Sequence, residues 1–282
     1  MLRTRIITAT FLLAVFLLAL FTLPPVGWVI FATLVSAIAA WEWGGLMRFN
    51  ALTRLFIAAA LVLICSVIGF WQPNALGILP GFADSAWNLG RWFYLPAATF
   101  WLILAPLWMK FRWQLPKSVV GLLVGVLLIF PTWLALIQLR QAGSLVLLAI
   151  LAMIWLADVA AYFSGRTFGK HKLAPNISPG KTWEGVFGGG GAVLLFGTFL
   201  LPLLPNFLPG TVTVSYALLP LLLIFLTAIS VIGDLFESLL KRQAGLKDSS
   251  NVLPGHGGVL DRIDSQLSTL PLVTLIWLAT LS

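Results

Sequence analysis

Residues 213–240 read TVSYALLPLLLIFLTAISVIGDLFESLL, and residues 241–264 continue KRQAGLKDSSNVLPGHGGVLDRID. The first stretch is long and apolar enough to cross a bilayer, which takes roughly 20 residues. Its only charges, Asp234 and Glu237, come near its end. The second stretch gathers Lys241, Arg242, Lys247, Arg262, His256, Asp248, Asp261 and Asp264. Elsewhere the chain avoids charge, so this concentration points to chemistry. Carboxylates among Lys, Arg and Gly suit a metal-bound polyphosphate.

Outward from this stretch the same apolar pattern recurs. The chain is 60% hydrophobic and 9% charged, where soluble domains carry about 25% charged residues. Repeated uncharged runs predict an all-α, polytopic transmembrane protein. The single Cys65 lies inside an apolar run, which excludes a disulfide framework and a Cys-based metal site. The net charge of +8 could suggest nucleic acid, but in a membrane protein it reflects basic cytoplasmic loops that favour anionic lipids, and no nucleic-acid partner is expected. Residues 1–24 begin basic and then apolar, as a signal peptide does. The run is too long for a signal core and ends in Leu23-Pro24-Pro25, so an uncleaved first span is expected.

About nine spans are expected, at 5–23, 27–47, 52–72, 91–109, 118–138, 144–163, 185–204, 213–240 and 265–282. With the N-terminus cytoplasmic, the inner side holds all the Lys and Arg residues except Arg91 and Arg140, and the C-terminus lies outside. Two regions follow: N-terminal transmembrane helices over 1–140, and a catalytic transmembrane region over 141–282 with inner loops 164–184 and 241–264. The outer loop around Pro205 to Gly210 is bland. The Gly/Pro-rich segment 72–90 suits a re-entrant or interfacial course. No internal repeat supports an inverted-repeat transporter.

Ionisable residues within spans cost about 2.5–3.5 kcal/mol each at a helix centre, so they usually face a polar cavity. Asp158, Asp234, Glu237 and Glu42 all approach the inner face. Glu42, between Trp41 and Trp43, reads as interfacial or as a structural hydrogen-bonding group; Asp234 reads as functional. Asp234, Ser238 and Lys241 fall at i, i+4 and i+7 on one helix face, and Glu237 and Lys241 form a second i, i+4 pair. Asp261 and Asp264 share a face if the last helix starts there. Carboxylates from two facing helices can hold Mg²⁺, which takes one or two carboxylates and fills its shell with water and phosphate oxygens. Neighbouring Lys and Arg neutralise phosphate charge, and Asn251 to Gly258 offers backbone able to approach a phosphate closely.

The other inner loop carries Ser164-Gly165-Arg166, Lys170, Lys172 and Ser178-Pro179-Gly180-Lys181-Thr182-Trp183-Glu184-Gly185. Gly180-Lys181-Thr182 looks like the end of a Walker A loop, but Pro175 stands where that loop needs glycine, and no βαβ unit surrounds it. The run Gly188 to Gly191 suits close helix packing. A basic Gly/Ser loop of this kind suits a nucleoside triphosphate or a lipid phosphate.

The pattern Ser238-x-x-Lys241-Arg242-x(4)-Lys247-Asp248-x(5)-Pro254-x-His256-Gly257-Gly258-x-x-Asp261-Arg262-x-Asp264 resembles the signature of the phosphatidate cytidylyltransferases (CDP-diacylglycerol synthases). Asp158-x-x-Ala161-Tyr162-Phe163-x-Gly165 and Ser178-Pro179-x-Lys181-Thr182-x-Glu184-Gly185 are similar to that family's second motif. The motifs cover the C-terminal half. The N-terminal spans match chiefly in being spans, with Trp41-Glu42-Trp43 a weak local echo.

The resemblance implies a multi-pass enzyme of the cell inner membrane that converts CTP and phosphatidate into CDP-diacylglycerol and pyrophosphate. It implies Mg²⁺, with a second metal ion left open, and metal binding at Asp234 and Asp261, with Asp264 an additional ligand or a support. Lys241, Arg242, Lys247 and Arg262 would hold phosphates. Ser178, Lys181 and Thr182 would face nucleotide or lipid phosphate, together with Ser238 and Asp158. His256 and Gly257 would lie near the pyrophosphate. The nucleophile is already ionised, so no strong base is needed. A CTP-dependent lipid kinase, an isoprenoid-lipid cytidylyltransferase and an anion transporter stay open as alternatives, as does a homodimer.

Overall fold

The computed structural model describes residues 2–79, 82, 84–200 and 218–281. Its helices are α1 (Leu2–Thr22), α2 (Pro25–Leu46), α3 (Ala51–Trp71), α4 (Asn88–Thr99), α5 (Ala105–Phe111), α6 (Val119–Ala142), α7 (Ser144–Phe168), α8 (Trp183–Leu195), α9 (Leu219–Gln243) and α10 (Leu260–Leu281). A π-helical turn over Phe100–Leu104 joins α4 to α5, and another over Phe196–Leu200 prolongs α8.

Seven described helical stretches are long and apolar enough to cross a membrane. They match expected spans one to six and eight; the fourth runs over Ser85–Phe111 and so exceeds the expected 91–109. Helices α8 and α10 stand where the seventh and ninth spans were expected, α10 with Asp261, Arg262 and Asp264 in its opening turns. Large apolar side chains such as Phe11, Phe56 and Phe70 face outward, as a lipid solvent allows. The chain is therefore an all-α polytopic membrane protein in every element but one. The outer loop around Pro205 to Gly210, and the start of the span expected at 213–240, lie outside the described residues.

The exception lies in segment 164–184, expected to be a loop. Helix α7 continues to Phe168, and an antiparallel hairpin follows, β1 (Lys172–Ala174) with β2 (Ser178–Thr182), pairing Lys172 with Thr182 and Ala174 with Ser178. Apolar length marks where a membrane span ends and says nothing about where the helix ends. For the same reason α9 runs to Gln243, and α10 begins at Leu260, before the expected 265.

Local chemistry sets the element ends. Pro25 presets the first turn of α2. Asn50 caps α3 by accepting from Thr53 N at 2.8 Å, and Thr182 caps α8 by accepting from Gly185 N at 3.2 Å. Between α2 and α3, Arg48 turns the chain at φ 57°.

Helix α6 is the most buried span, and the main core runs from Ala19 to Leu278, drawing on both halves of the chain. Gln138 of α6 donates to the carbonyls of Ala75 (3.2 Å) and Ala86 (3.1 Å) and accepts from the Tyr94 hydroxyl at 2.8 Å. These bonds hold two 3₁₀ turns, Pro73–Leu76 and Asp84–Trp87, against the bundle. Helices α7 and α8 meet along small residues. A Cβ on Gly185 would lie 2.8 Å from the Ala161 carbonyl, and one on Gly189 2.8 Å from the Ala157 carbonyl. Close backbone approach through small residues is how helices associate in lipid, where the hydrophobic effect does not drive them together. In the run Gly188 to Gly191 only the first two residues serve this seam; a Cβ on Gly190 or Gly191 meets nothing within 4 Å.

Candidate active site

The α7–α8 seam opens toward α9 into a cleft of about 510 Å³. Asp158, Arg166, Ser178, Lys181, Thr182 and Asp234 line it. Lys181 projects from β2 and ion-pairs with Asp234 of α9. Ser238, one turn further along α9, donates to Asp234 Oδ1 at 3.3 Å. Motifs more than fifty positions apart thus meet at one carboxylate.

The hairpin that carries Lys181 is tied back to α8. Glu184 accepts from the His171 backbone N at 3.2 Å, and its Oε1 lies 2.7 Å from His171 Nδ1. The His171 side-chain hydrogen bond, with further backbone donors, pulls the Glu184 carboxyl down to about 2.

A second cluster lies between α9 and α10. Lys241 ion-pairs with Glu237 and donates to Asp261 Oδ1 at 2.5 Å. Asp261 Oδ2 accepts from Ser249 N at 2.8 Å, Ser249 Oγ at 2.9 Å and Gly258 N at 2.8 Å. Glycine at 233 lets the helices touch, since a Cβ there would lie 2.7 Å from the Asp264 carbonyl. Asp264 consequently lies within electrostatic reach of Asp158, Asp234 and Glu237, and Asp158 within reach of Asp234. Ser265 Oγ sits 3.5 Å from Asp158 Oδ1.

The loop between the helices is shaped by glycine. Leu253 N donates to the Gly257 carbonyl at 2.8 Å, closing a turn with Gly255 at φ 75° and Gly257 at φ 80°. A Cβ on Gly257 would lie 2.6 Å from Asp261 Oδ2, and one on Gly258 would lie 2.1 Å from Ser249 Oγ and 2.4 Å from Glu42 Oε1. The close approach these glycines allow is therefore to carboxylates of the protein itself, where the sequence suggested a phosphate. His256 lies between Gly255 and Gly257, its Nδ1 buried without a hydrogen-bond partner among the described residues.

The predicted residues thus fall into three settings. Asp158, Ser178, Lys181, Thr182 and Asp234 share the cleft. Lys241, Asp261 and Asp264 sit behind it at the α9–α10 contact. Arg242, Lys247 and Arg262 are exposed around the connecting loop. Sequence reasoning missed Ser249, Ser250 and Ser265, whose roles come from distant partners. It also read Glu42 as a local feature. Glu42 is wholly buried and accepts from Ser250 Oγ (2.6 Å), Val259 N (2.9 Å), Ser249 Oγ (3.1 Å) and Leu260 N (2.6 Å). The structural hydrogen bonding expected of it is present, with partners no local pattern could name.

Among the described residues no three His, Cys, Asp or Glu side chains converge as a ready-made metal site. Asp261 is turned to Lys241 and to backbone amides. Asp234, Asp264 and Asp158 supply hard oxygen donors whose mutual repulsion a divalent cation would relieve. That donor chemistry fits Mg²⁺, with Lys181 yielding its place on Asp234.

Comparison with known proteins agrees over most of the chain. The profile of the Cytidylyltransferase family matches residues 3–279. A phosphatidate cytidylyltransferase of Pseudomonas aeruginosa is 38% identical, over 99% of this chain and 98% of its own length. One from Haemophilus influenzae is 34% identical over 96% of each. One from Brucella suis is 44% identical over 133 residues, 47% of each chain.

Proposed function

The chain belongs to the cytidylyltransferase family, and we propose that it is a phosphatidate cytidylyltransferase, joining CTP and phosphatidate into CDP-diacylglycerol with release of pyrophosphate. The observation that carries this reading is the Lys181–Asp234 pair, which unites the two resembling motifs at one cleft. A phosphate oxygen of the lipid attacks the α-phosphorus of CTP, and the bond to the β-phosphate breaks. Both partners are anionic, so cations that screen repulsion and stabilise the leaving pyrophosphate supply most of the catalysis.

Lys181 and Arg166, at the cleft, bind phosphate oxygens. Ser178 and Thr182 orient them. Arg242, Lys247 and Arg262 draw the triphosphate toward the connecting loop, where His256, its Nδ1 without a partner among the described residues, lies near pyrophosphate. Asp234 and Asp264 would hold Mg²⁺, with Asp158 completing the set or serving a second ion. When bound, the metal polarises the phosphoryl group and offsets charge on the leaving group. Asp261 then holds Lys241 in place.

The topology proposed is nine spans in the inner membrane, N-terminus cytoplasmic and C-terminus outside. It is supported by the basic residues, nearly all of which fall on one side. The site would then lie where a lipid headgroup meets soluble CTP. Purified protein given phosphatidate should carry label from α-labelled CTP into extractable lipid, and none from γ-labelled CTP. Label from the γ position alone would make it a lipid kinase.

A further inference from the structure

The end of α2 and the turn that follows it grip both ends of the α9–α10 connection. Arg48 Nη2 donates to the Gln243 carbonyl at 2.9 Å and Nε to the Ala244 carbonyl at 3.2 Å, closing the C-terminus of α9. Glu42 takes the amides of Val259 and Leu260, closing the N-terminus of α10. Each charge has the sign its helix end favours.

Glu42 also reaches Asp261. The Ser249 hydroxyl lies 3.1 Å from Glu42 Oε2 and 2.9 Å from Asp261 Oδ2. A hydroxyl has one proton, so the two carboxylates share it. The other donors to Asp261 Oδ2 are Ser249 N and Gly258 N. They belong to the two segments Glu42 tethers, through Ser249 and Ser250 on one side and Val259 and Leu260 on the other. Asp261 in turn holds Lys241.

We propose that Glu42 is a positioning residue for the transfer reaction: acting through Ser249 and the backbone of 258–260, it fixes the Asp261 carboxylate and with it the Lys241 ammonium. The N-terminal spans thereby contribute directly to the geometry of the site. The requirement is for a carboxylate. Four donors converge on Glu42, and an amide in its place would turn an NH₂ group toward Val259 N or Leu260 N whichever way it flipped. The inference rests on Lys241 holding substrate phosphate, as the family resemblance implies, and on Asp261 orienting it.

The test uses the full-length protein in lipid–detergent micelles. Glu42→Gln, Ser249→Ala and the double variant are compared for kcat, for KM toward CTP and phosphatidate, and for thermal unfolding. Ser249→Ala should stay folded with a modestly lowered unfolding temperature, since two buried carboxylates lose a donor, and keep both KM values while kcat falls about tenfold, the usual cost of losing a group that orients a reacting one. Glu42→Gln should lower kcat of the folded fraction about a hundredfold. The double variant should be no slower than Glu42→Gln alone, because both act along one path. Unchanged kcat in Ser249→Ala, multiplicative losses in the double variant, or a Glu42→Gln defect confined to unfolding temperature would each overturn the proposal. If Asp261→Asn kept wild-type kcat, the underlying assignment would fail and the proposal with it.

Discussion

Lys181 on β2 and Asp234 on α9 form an ion pair that remains partly open to solvent, with side-chain exposures of 26% and 29%. Such a pair contributes at most about 1 kcal/mol to stability, because water screens it and two side chains must be ordered. It can therefore exchange partners when phosphate or a metal arrives. Lys181→Met should leave the unfolding temperature nearly unchanged while raising KM for CTP or phosphatidate. A large loss of stability with unaltered KM would show that the pair is structural.

The pair network of Lys241 should behave oppositely. Its side chain is 12% exposed, facing Glu237 at 4% and Asp261 at 3%. Removing one member of a buried ion set strands the others and costs about 3–5 kcal/mol. Lys241→Met should thus lose activity and stability together. Adding Glu237→Gln should restore part of the stability, since one stranded charge is gone, without restoring turnover. Equal unfolding temperatures for wild type and Lys241→Met would contradict this picture.

Asp234→Asn should abolish the dependence of rate on Mg²⁺ concentration and reduce transfer by a factor on the order of 100. The readout is label transfer from α-labelled CTP across a Mg²⁺ titration. Near-wild-type transfer would remove Asp234 from the metal assignment.

The glycines of α8 make a steric prediction. Gly189→Ala would press a methyl group against the Ala157 carbonyl, whereas Gly190→Ala points into open space. Overpacking typically costs about 1–3 kcal/mol. Gly189→Ala should lower thermal stability and Gly190→Ala should not. Equal stability of the two variants would show that the α7–α8 seam is looser than described.

Glu184 has a carboxyl pulled from the ordinary 4.5 to about 2. A depressed folded-state pKa stabilises the hairpin above pH 4.5, and that contribution is lost as pH falls through about 2. A carbon-detected titration of the Glu184 carboxyl should give a midpoint near 2 in wild type, moving toward 4.5 in His171→Ala. A wild-type midpoint near 4.5 would mean the tie to His171 is absent.

The legible parts of the sequence were those with a local physical signature. Apolar length located the spans, and helical spacing put Asp234 beside Ser238 and Glu237 beside Lys241, as the contacts show. The hairpin over 172–182 was not legible, because residues such as Pro179 and Gly180 carry no strand periodicity. Their pairing is imposed by the ends, where Glu184 and Thr182 tie the chain to α8. Glu42 posed the converse problem. Its tryptophan neighbours suggested an interface, while its four donors come from residues with no patterned relation to it. The glycines of His256-Gly257-Gly258 were recognisable as a motif, but which atoms they approach depended on the tertiary fold.

The clamp residues also set the order in which this protein can mature. Glu42 precedes Ser249 by 207 residues and Leu260 by 218, so the receiving groups leave the ribosome long before the loop they receive. Until α10 has been made and seated, Glu42 lacks its Val259 and Leu260 amides, and Lys241 lacks one of its two carboxylates. A nascent chain inserted in the membrane but still short of that point would carry the cleft-lining helices without Asp261 or Asp264. Completion of the site thus waits on α10, which brings Asp261 and Asp264.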